Sequence, residues 1–144
     1  MKNENYIKIE FLSKSCNEGF SRVAVAALAS QLDPTLSEIN EIKTAVSEAV
    51  TNCIVHGYRD KIGIIYISAK ISGRKLTVTV RDKGCGIENI EKAREPLFTT
   101  GDTNERSGMG FTIMESFMDS VRVRSHSGKG TKVTMTKIME SKEI

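Results

Sequence analysis

Two hydrophobic periodicities alternate along the chain, and their order restricts the fold more than any other feature. Strands are predicted where apolar and polar side chains alternate or β-branched residues dominate. These segments are residues 6–11, 64–71, 76–80, 121–125 and 131–138. Two helices are predicted between the first strand and the second, and another over residues 111–118. One sheet with helices on one face accommodates this order, so we predict an α/β (α+β) two-layer sandwich.

The first predicted helix has a signal at each end. Ser15 and Glu18 have the spacing of a capping box, which predicts the start of a helix. The Asp33-Pro34 pair predicts its end, because the residue before proline disfavours helical geometry. We expect this helix to bury one apolar stripe, which consists of Phe20, Val23, Ala24, Ala27 and Leu28.

The second predicted helix carries two polar side chains away from its apolar face. Thr35 and Glu38 repeat the capping spacing, and Gly57 is the expected end. The apolar face consists of Ile39, Ile42, Val46, Ala49, Val50 and Cys53. Glu48 and Asn52 are four residues apart, so they lie one above the other. A carboxamide oxygen suits Mg²⁺, and a carboxylate can deprotonate a hydroxyl. Taken alone, the pair fits an exposed helix edge better than it fits a site.

Composition excludes several classes of protein. The chain has 144 residues, of which 39% are hydrophobic and 27% charged, so we expect one domain over residues 1–144. The polar N-terminus and the absence of a long apolar run predict a cytoplasmic protein. A net charge of +3 does not favour nucleic acid as a partner. Three cysteines without a CxxC pair favour neither disulfides nor a zinc site.

Glycines cluster at three places where a ligand could approach the backbone. Asp82 follows a strand and is followed by Gly84 and Gly86, which gives DxGxG. The segment 108–110 is GxG at the start of a helix, where free N–H groups suit phosphate. The segment 128–131 is GxGT in a hairpin turn, with a hydroxyl on Thr131. Taken singly, each also fits an ordinary turn or hinge.

In this order, the Glu-xxx-Asn helix, DxGxG, GxG and GxGT resemble the ATP-binding domain shared by gyrase, Hsp90, histidine kinases and MutL. The resemblance implies a Bergerat-type fold with a mixed, mostly antiparallel sheet and an ATP lid over about residues 94–110. It implies that Asp82 accepts the adenine amino group, that Thr131 supports this contact and that Asn52 holds Mg²⁺. The other implied nucleotide contacts are Gly84, Gly86, Thr99, Thr100, Ser107, Gly108, Met109 and Gly110. No GxxxxGK[ST] motif is present, which excludes a P-loop.

Two segments, SEAVTNCIVHGY and PLFTTGDTNERSGMGFTIM, resemble the stand-alone serine kinases that act as anti-sigma factors in sporulating bacilli. This resemblance implies a protein that binds a sporulation sigma factor and uses ATP to phosphorylate a serine of an anti-anti-sigma protein of the STAS type. It implies that Glu48 is the general base and that Arg106 contacts the γ-phosphate. Arg22, Glu105 and Arg106 would contact partners. It also implies a homodimer without direct contact to nucleic acid or membrane.

Two other functions fit the same motifs. One is an ATP- or ADP-responsive anti-sigma module with little kinase activity, and the other is a detached catalytic domain of a histidine kinase. In 144 residues we expect neither a transducer domain nor a phosphoacceptor hairpin, so the phosphate should go to another protein.

Overall fold

Five strands and three helices make up the part of the chain that the computed structural model describes, residues 4–87, 94 and 110–140. The helices are α1 (Cys16–Ala29), α2 (Leu36–Asn52) and α3 (Gly110–Phe117). The strands are β1 (Asn5–Leu12), β2 (Ile64–Ser72), β3 (Lys75–Asp82), β4 (Ser120–His126) and β5 (Gly130–Ile138). A 3-10 turn (Ser30–Leu32) follows α1, and a π-helical turn (Cys53–Gly57) follows α2.

The strands form one sheet in the order β1-β2-β3-β5-β4, and all four of these pairings are antiparallel. Ser72 pairs with Lys75, so only two residues connect β2 to β3. The first of them, Gly73, has a φ of +60°, which the tight hairpin turn requires. The predicted two-layer sandwich and its mostly antiparallel sheet are confirmed.

The core lies between one face of the sheet and the helices. Alternate residues of the three central strands point into it: Ile65, Ile67, Ala69, Ile71, Leu76, Val78, Val80, Val133 and Met135. From the helices, Val25, Ile42, Val46 and Met114 are fully buried against this face. The remaining side chains of the central strands point to the opposite face, here called the outer face, where most of them are at least partly exposed.

The prediction for the buried face of α1 was wrong except at Leu28, which is 3% exposed. Phe20 and Val23 are 55% and 57% exposed, whereas the helix buries Ser21, Val25, Ala26, Leu28 and Ala29. Small side chains at Ser21 and the alanines let α1 lie close to α2. The predicted cap was also wrong, because Ser15 accepts no side-chain hydrogen bond at the start of α1.

The prediction for α2 was confirmed. Thr35 Oγ1 accepts a hydrogen bond from the Glu38 N–H at 3.0 Å, and Glu38 Oε1 accepts one from the Thr35 N–H at 2.8 Å, which makes a capping box. The helix reaches Gly57 as predicted, but its last turn widens into the π-helical turn. π-Turns of this kind are frequent at functional sites.

The sequence also predicts a short helix over residues 88–94, and this stretch lies outside the described residues except for Arg94. Arg94 pairs with Glu115 of α3, and its Nη2 donates to the Val121 carbonyl at 3.1 Å. Among the described residues, no helix is long and apolar enough to cross a membrane.

Candidate functional site

Glu48 and Asn52 lie side by side on α2 and face Gly110, the first residue of α3. A Cβ atom at Gly110 would lie 3.3 Å from both the Asn52 Oδ1 and Nδ2 atoms and 3.4 Å from Glu48 Oε1. Glu48 is only 8% exposed, so the pair is not an exposed helix edge. The absent side chain at Gly110 leaves both polar groups next to the start of a helix, where N–H groups favour phosphate.

Asp82 ends β3 as a buried carboxylate, 4% exposed. Its Oδ1 accepts a hydrogen bond from the Gly84 N–H at 2.9 Å, and the carboxylate also accepts from the Thr131 N–H and the Cys53 thiol. Burial raises the pKa of Asp82 above its ordinary value, and these three donors oppose that rise. A Cβ at Gly57 would lie 2.8 Å from the carboxylate. The Asp82 carboxylate is therefore a hydrogen-bond acceptor that is fixed in one orientation beside Gly57.

The DxGxG segment packs backbone against backbone. A Cβ at Gly84 would lie 2.1 Å from the Gly57 carbonyl oxygen, and the Cys85 N–H donates to that same oxygen at 2.9 Å. A Cβ at Gly86, where φ is +77°, would lie 2.1 Å from the His126 carbonyl oxygen. We call these three residues, Gly57, Gly84 and Gly86, the glycine floor. They leave no room for a side chain between the π-helical turn, the DxGxG segment and the β4–β5 turn.

Thr131 lies directly opposite Asp82 in the register of β3 and β5. Its N–H donates to the Asp82 carboxylate, and its hydroxyl lies 2.9 Å from Ser125 Oγ. The Ile87 N–H donates to the same Ser125 Oγ at 2.7 Å. Thus Ser125 connects the end of the DxGxG segment to Thr131.

Sequence reasoning missed the roles of Ser125 and Cys53. Ser125 occupies the inward-pointing position of β4 that follows Val121 and Val123, so a polar residue in an apolar alternation was the available signal. Cys53 was predicted as a core residue, and it is buried, but its thiol also donates to Asp82. Burial, together with the Asp82 charge, raises the pKa of this thiol well above its ordinary value.

Arg22 is held on the surface of α1 and α2. Its Nη1 lies 2.6 Å from Glu18 Oε1 and 3.4 Å from Ser47 Oγ, and Thr51 Oγ1 donates to the other carboxylate oxygen of Glu18 at 3.1 Å. Of these side chains, Glu18, Arg22 and Ser47 border an open groove of about 400 Å³. Because Ser47 immediately precedes Glu48, the groove lies beside the helix that carries the candidate base.

Several predicted site residues lie outside the described residues: Thr99, Thr100, Glu105, Arg106, Ser107, Gly108 and Met109. Over residues 4–87, 94 and 110–140, no three His, Cys, Asp or Glu side chains are placed to hold a metal ion together.

We expect Gly84→Ala to lower the free energy of unfolding by about 2–3 kcal/mol, since its Cβ would collide with a main-chain carbonyl that cannot rotate away. Gly19→Ala is the matched control. Gly19 lies in α1, and its nearest neighbour to an added Cβ is 3.9 Å away. There the same change should stabilise the protein by about 0.5–1 kcal/mol. Urea unfolding of both variants measures the two effects, and equal shifts would contradict the tight packing of the glycine floor.

Comparison with known proteins finds one matching family model and several close relatives. The family model described as histidine kinase-like ATPase domain matches residues 18–137. The anti-sigma F factor of Thermoanaerobacter sp. (strain X514) is 62% identical over 141 residues, which cover 98% of this chain and 99% of that protein. The anti-sigma F factor of Clostridium acetobutylicum is 60% identical over 134 residues, or 93% of this chain and 94% of that protein.

A solved structure shows the same fold at low sequence identity. The histidine kinase domain of the blue-light activated histidine kinase of Erythrobacter litoralis EL346 superposes with a TM-score of 0.55 at 21% identity. The match covers 85% of this chain and 61% of that one. The two-layer α/β sandwich described above is therefore the fold found in histidine kinase-like ATPases.

Proposed function

The chain belongs to the anti-sigma F factors and to the histidine kinase-like ATPase domain family, and from this membership we propose that it binds a sporulation sigma factor and uses ATP to phosphorylate a serine of an anti-anti-sigma protein of the STAS type. The observation that carries the kinase half of the proposal is the position of Glu48 and Asn52 around Gly110. A base and a metal ligand there adjoin a phosphate-favouring helix start.

Nucleotide recognition depends on the buried Asp82. Its carboxylate, held by Gly84, Thr131 and Cys53, accepts a hydrogen bond from the exocyclic amino group of adenine. Guanine has a carbonyl oxygen at the equivalent position. This oxygen and the Asp82 carboxylate are both acceptors, so no hydrogen bond can form between them. Selectivity for ATP therefore follows from one oriented acceptor.

The phosphate end of ATP lies toward Asn52 and Gly110 in this proposal. The Asn52 amide oxygen is the group of this chain that would hold Mg²⁺, and it lies beside Gly110 at the start of α3. When bound, Mg²⁺ offsets the negative charge of the phosphates during transfer. Arg106 and the other lid residues remain predicted nucleotide or partner contacts.

Glu48 acts as the base in the transfer step. The serine oxygen of the antagonist forms a bond to the γ-phosphorus while the bond from that phosphorus to the bridging oxygen of ADP breaks. The serine proton moves to the Glu48 carboxylate, and ADP leaves with the bonding electrons of the bridging oxygen. General-base assistance of this kind contributes about 10²–10⁴ to the rate.

Partner contacts are proposed at two places. The groove beside Arg22 runs along the helix that carries Glu48, so a bound partner there lies next to the candidate base. For the homodimer we propose β1, which is an eight-residue edge strand with an exposed Tyr6 (65%) and Leu12 (45%). Sedimentation velocity is the measurement that tests self-association.

Incubation with labelled ATP and a purified anti-anti-sigma protein tests the proposed function. We expect the label on one serine of the antagonist, and we expect it to survive acid, because phosphoserine is stable where phosphohistidine is not. Peptide mapping identifies the site. Acid-labile label would favour a detached histidine-kinase domain instead. Sigma-factor inhibition without any label on the antagonist would favour a nucleotide-responsive binding module.

A further inference from the structure

The outer face of the sheet carries a row of cations on three neighbouring strands. The β3–β5 register places Arg81 opposite Lys132, and the β4–β5 register places Lys132 opposite Arg124. Arg122 lies in the next row, opposite Thr134. All four cations are exposed. We call these four residues the basic face.

The basic face keeps its charge within the part of the chain that the structure describes. Among residues 4–87, 94 and 110–140, no ion pair involves any of its four side chains. The Arg81 guanidinium lies 4.7 Å from the centre of the Tyr66 ring, and the Lys83 ammonium lies 5.0 Å from the same ring. Glu10, on the same row, lies beyond Tyr66 on β1. Like charges directly opposite each other on neighbouring strands repel, so a bound anion would relieve a cost that the isolated chain carries.

We propose that the basic face docks an acidic protein segment. Neighbouring strands are about 4.8 Å apart. Carboxylates three or four residues apart on a helix have Cβ atoms about 5–6 Å apart. An acidic helix lying across β3, β5 and β4 can therefore offer one carboxylate to each of Arg81, Lys132 and Arg124. Two of these cations are arginines, whose guanidinium fork pairs with both oxygens of a carboxylate.

The aromatic content of this face favours protein over nucleic acid. Proteins that bind single strands usually provide aromatic rings on which bases stack. Tyr66 is the aromatic residue on the cation row, and its ring already contacts Arg81 and Lys83. The neighbouring positions in the next row, Thr79 and Thr134, are partly buried threonines.

Docking at this face is independent of the nucleotide. The carboxylate of Asp82 is buried on the helix side of the sheet, as is Glu48, whereas Arg81 and Lys132 point to the outer side. This inference therefore does not rest on the proposed kinase function, and a failure of one leaves the other standing.

Fluorescence anisotropy with a labelled decaglutamate peptide tests the proposal. We expect Lys132→Glu/Arg124→Glu to weaken peptide binding by about tenfold or more, because two attractive pairs become repulsive. Lys14→Glu/Lys61→Glu, in exposed loops outside the sheet, changes the net charge equally and should stay within about twofold of the unaltered protein. Affinity for ATP should be the same in both variants.

Two outcomes would overturn the proposal. Equal weakening in the two double variants would show that only net charge attracts the peptide. Tighter binding of a ten-nucleotide oligothymidine than of the peptide, lost in Lys132→Glu/Arg124→Glu, would make nucleic acid the ligand of this face. If the charge-reversed sheet variant does not fold, Lys132→Gln/Arg124→Gln removes the same two cations without introducing repulsion. That variant should weaken peptide binding in the same direction.

Discussion

Glu48→Gln is expected to lower the rate of phosphate transfer to the antagonist serine by about a hundredfold or more, while ATP affinity changes by less than about twofold. Glutamine has the same size and can keep the contacts of this buried position, but it cannot accept the serine proton. Transfer is measured as initial rate with labelled ATP and saturating antagonist. ATP affinity is measured by calorimetry on this protein without its antagonist.

Glu41→Gln is the matched control for this substitution. Glu41 lies seven residues before Glu48 on the same helix, two turns away, and pairs with Lys137 at 3.1 Å rather than facing Gly110. The control should transfer phosphate at close to the normal rate under conditions where it is fully folded. Transfer that survives in Glu48→Gln, or that falls equally in Glu41→Gln, would exclude Glu48 as the base.

Asp82→Asn is expected to weaken ATP binding by about 1–3 kcal/mol, or roughly five- to more than a hundredfold in affinity. The asparagine amide has one acceptor oxygen, whereas the carboxylate has two. Its NH₂ group would therefore face another donor, which is either the adenine amino group or one of the groups that donate to Asp82. Asp60→Asn, on the exposed loop before β2, is the control that removes the same charge without touching the site. Unchanged ATP affinity in Asp82→Asn would contradict the proposed adenine contact.

The same substitution has a consequence for stability that depends on pH. Burial raises the pKa of Asp82 in the folded protein above its value in the unfolded chain, so the folded state binds the proton more tightly. The cost of the buried charge is therefore fully present at neutral pH and is relieved as the pH falls through the raised pKa. Asp82→Asn lacks this titration. The difference in unfolding free energy between the two proteins should thus change over this acidic range, as urea unfolding at several pH values can show.

Sequence patterns predicted α2 and the sheet because the information there is local. The capping box of Thr35 and Glu38 is complete within four residues, and the apolar repeat of α2 excludes other orientations. The position of Glu48 and Asn52 follows from that orientation. Their approach to Gly110 depends on how α3 packs, and only the resemblance to a known family indicated it.

The errors at α1 have a different physical origin. Its middle, from Val23 to Ala29, consists of alanine and valine with a single leucine, so apolar side chains surround the helix and their spacing does not select a face. Contact with α2 selects it instead. Glu18, expected at a cap, accepts hydrogen bonds from Arg22 and from Thr51 of α2, and Thr51 lies 33 residues away. A local pattern contains no information about such a partner.

The glycine floor has a consequence for drug resistance. An inhibitor that competes with ATP and lies on Gly57, Gly84 and Gly86 would contact main-chain atoms, which point mutations do not remove. Any side chain at these positions would collide with a carbonyl or with the Asp82 carboxylate. Escape variants should therefore arise at side chains around the glycine floor rather than at its three glycines.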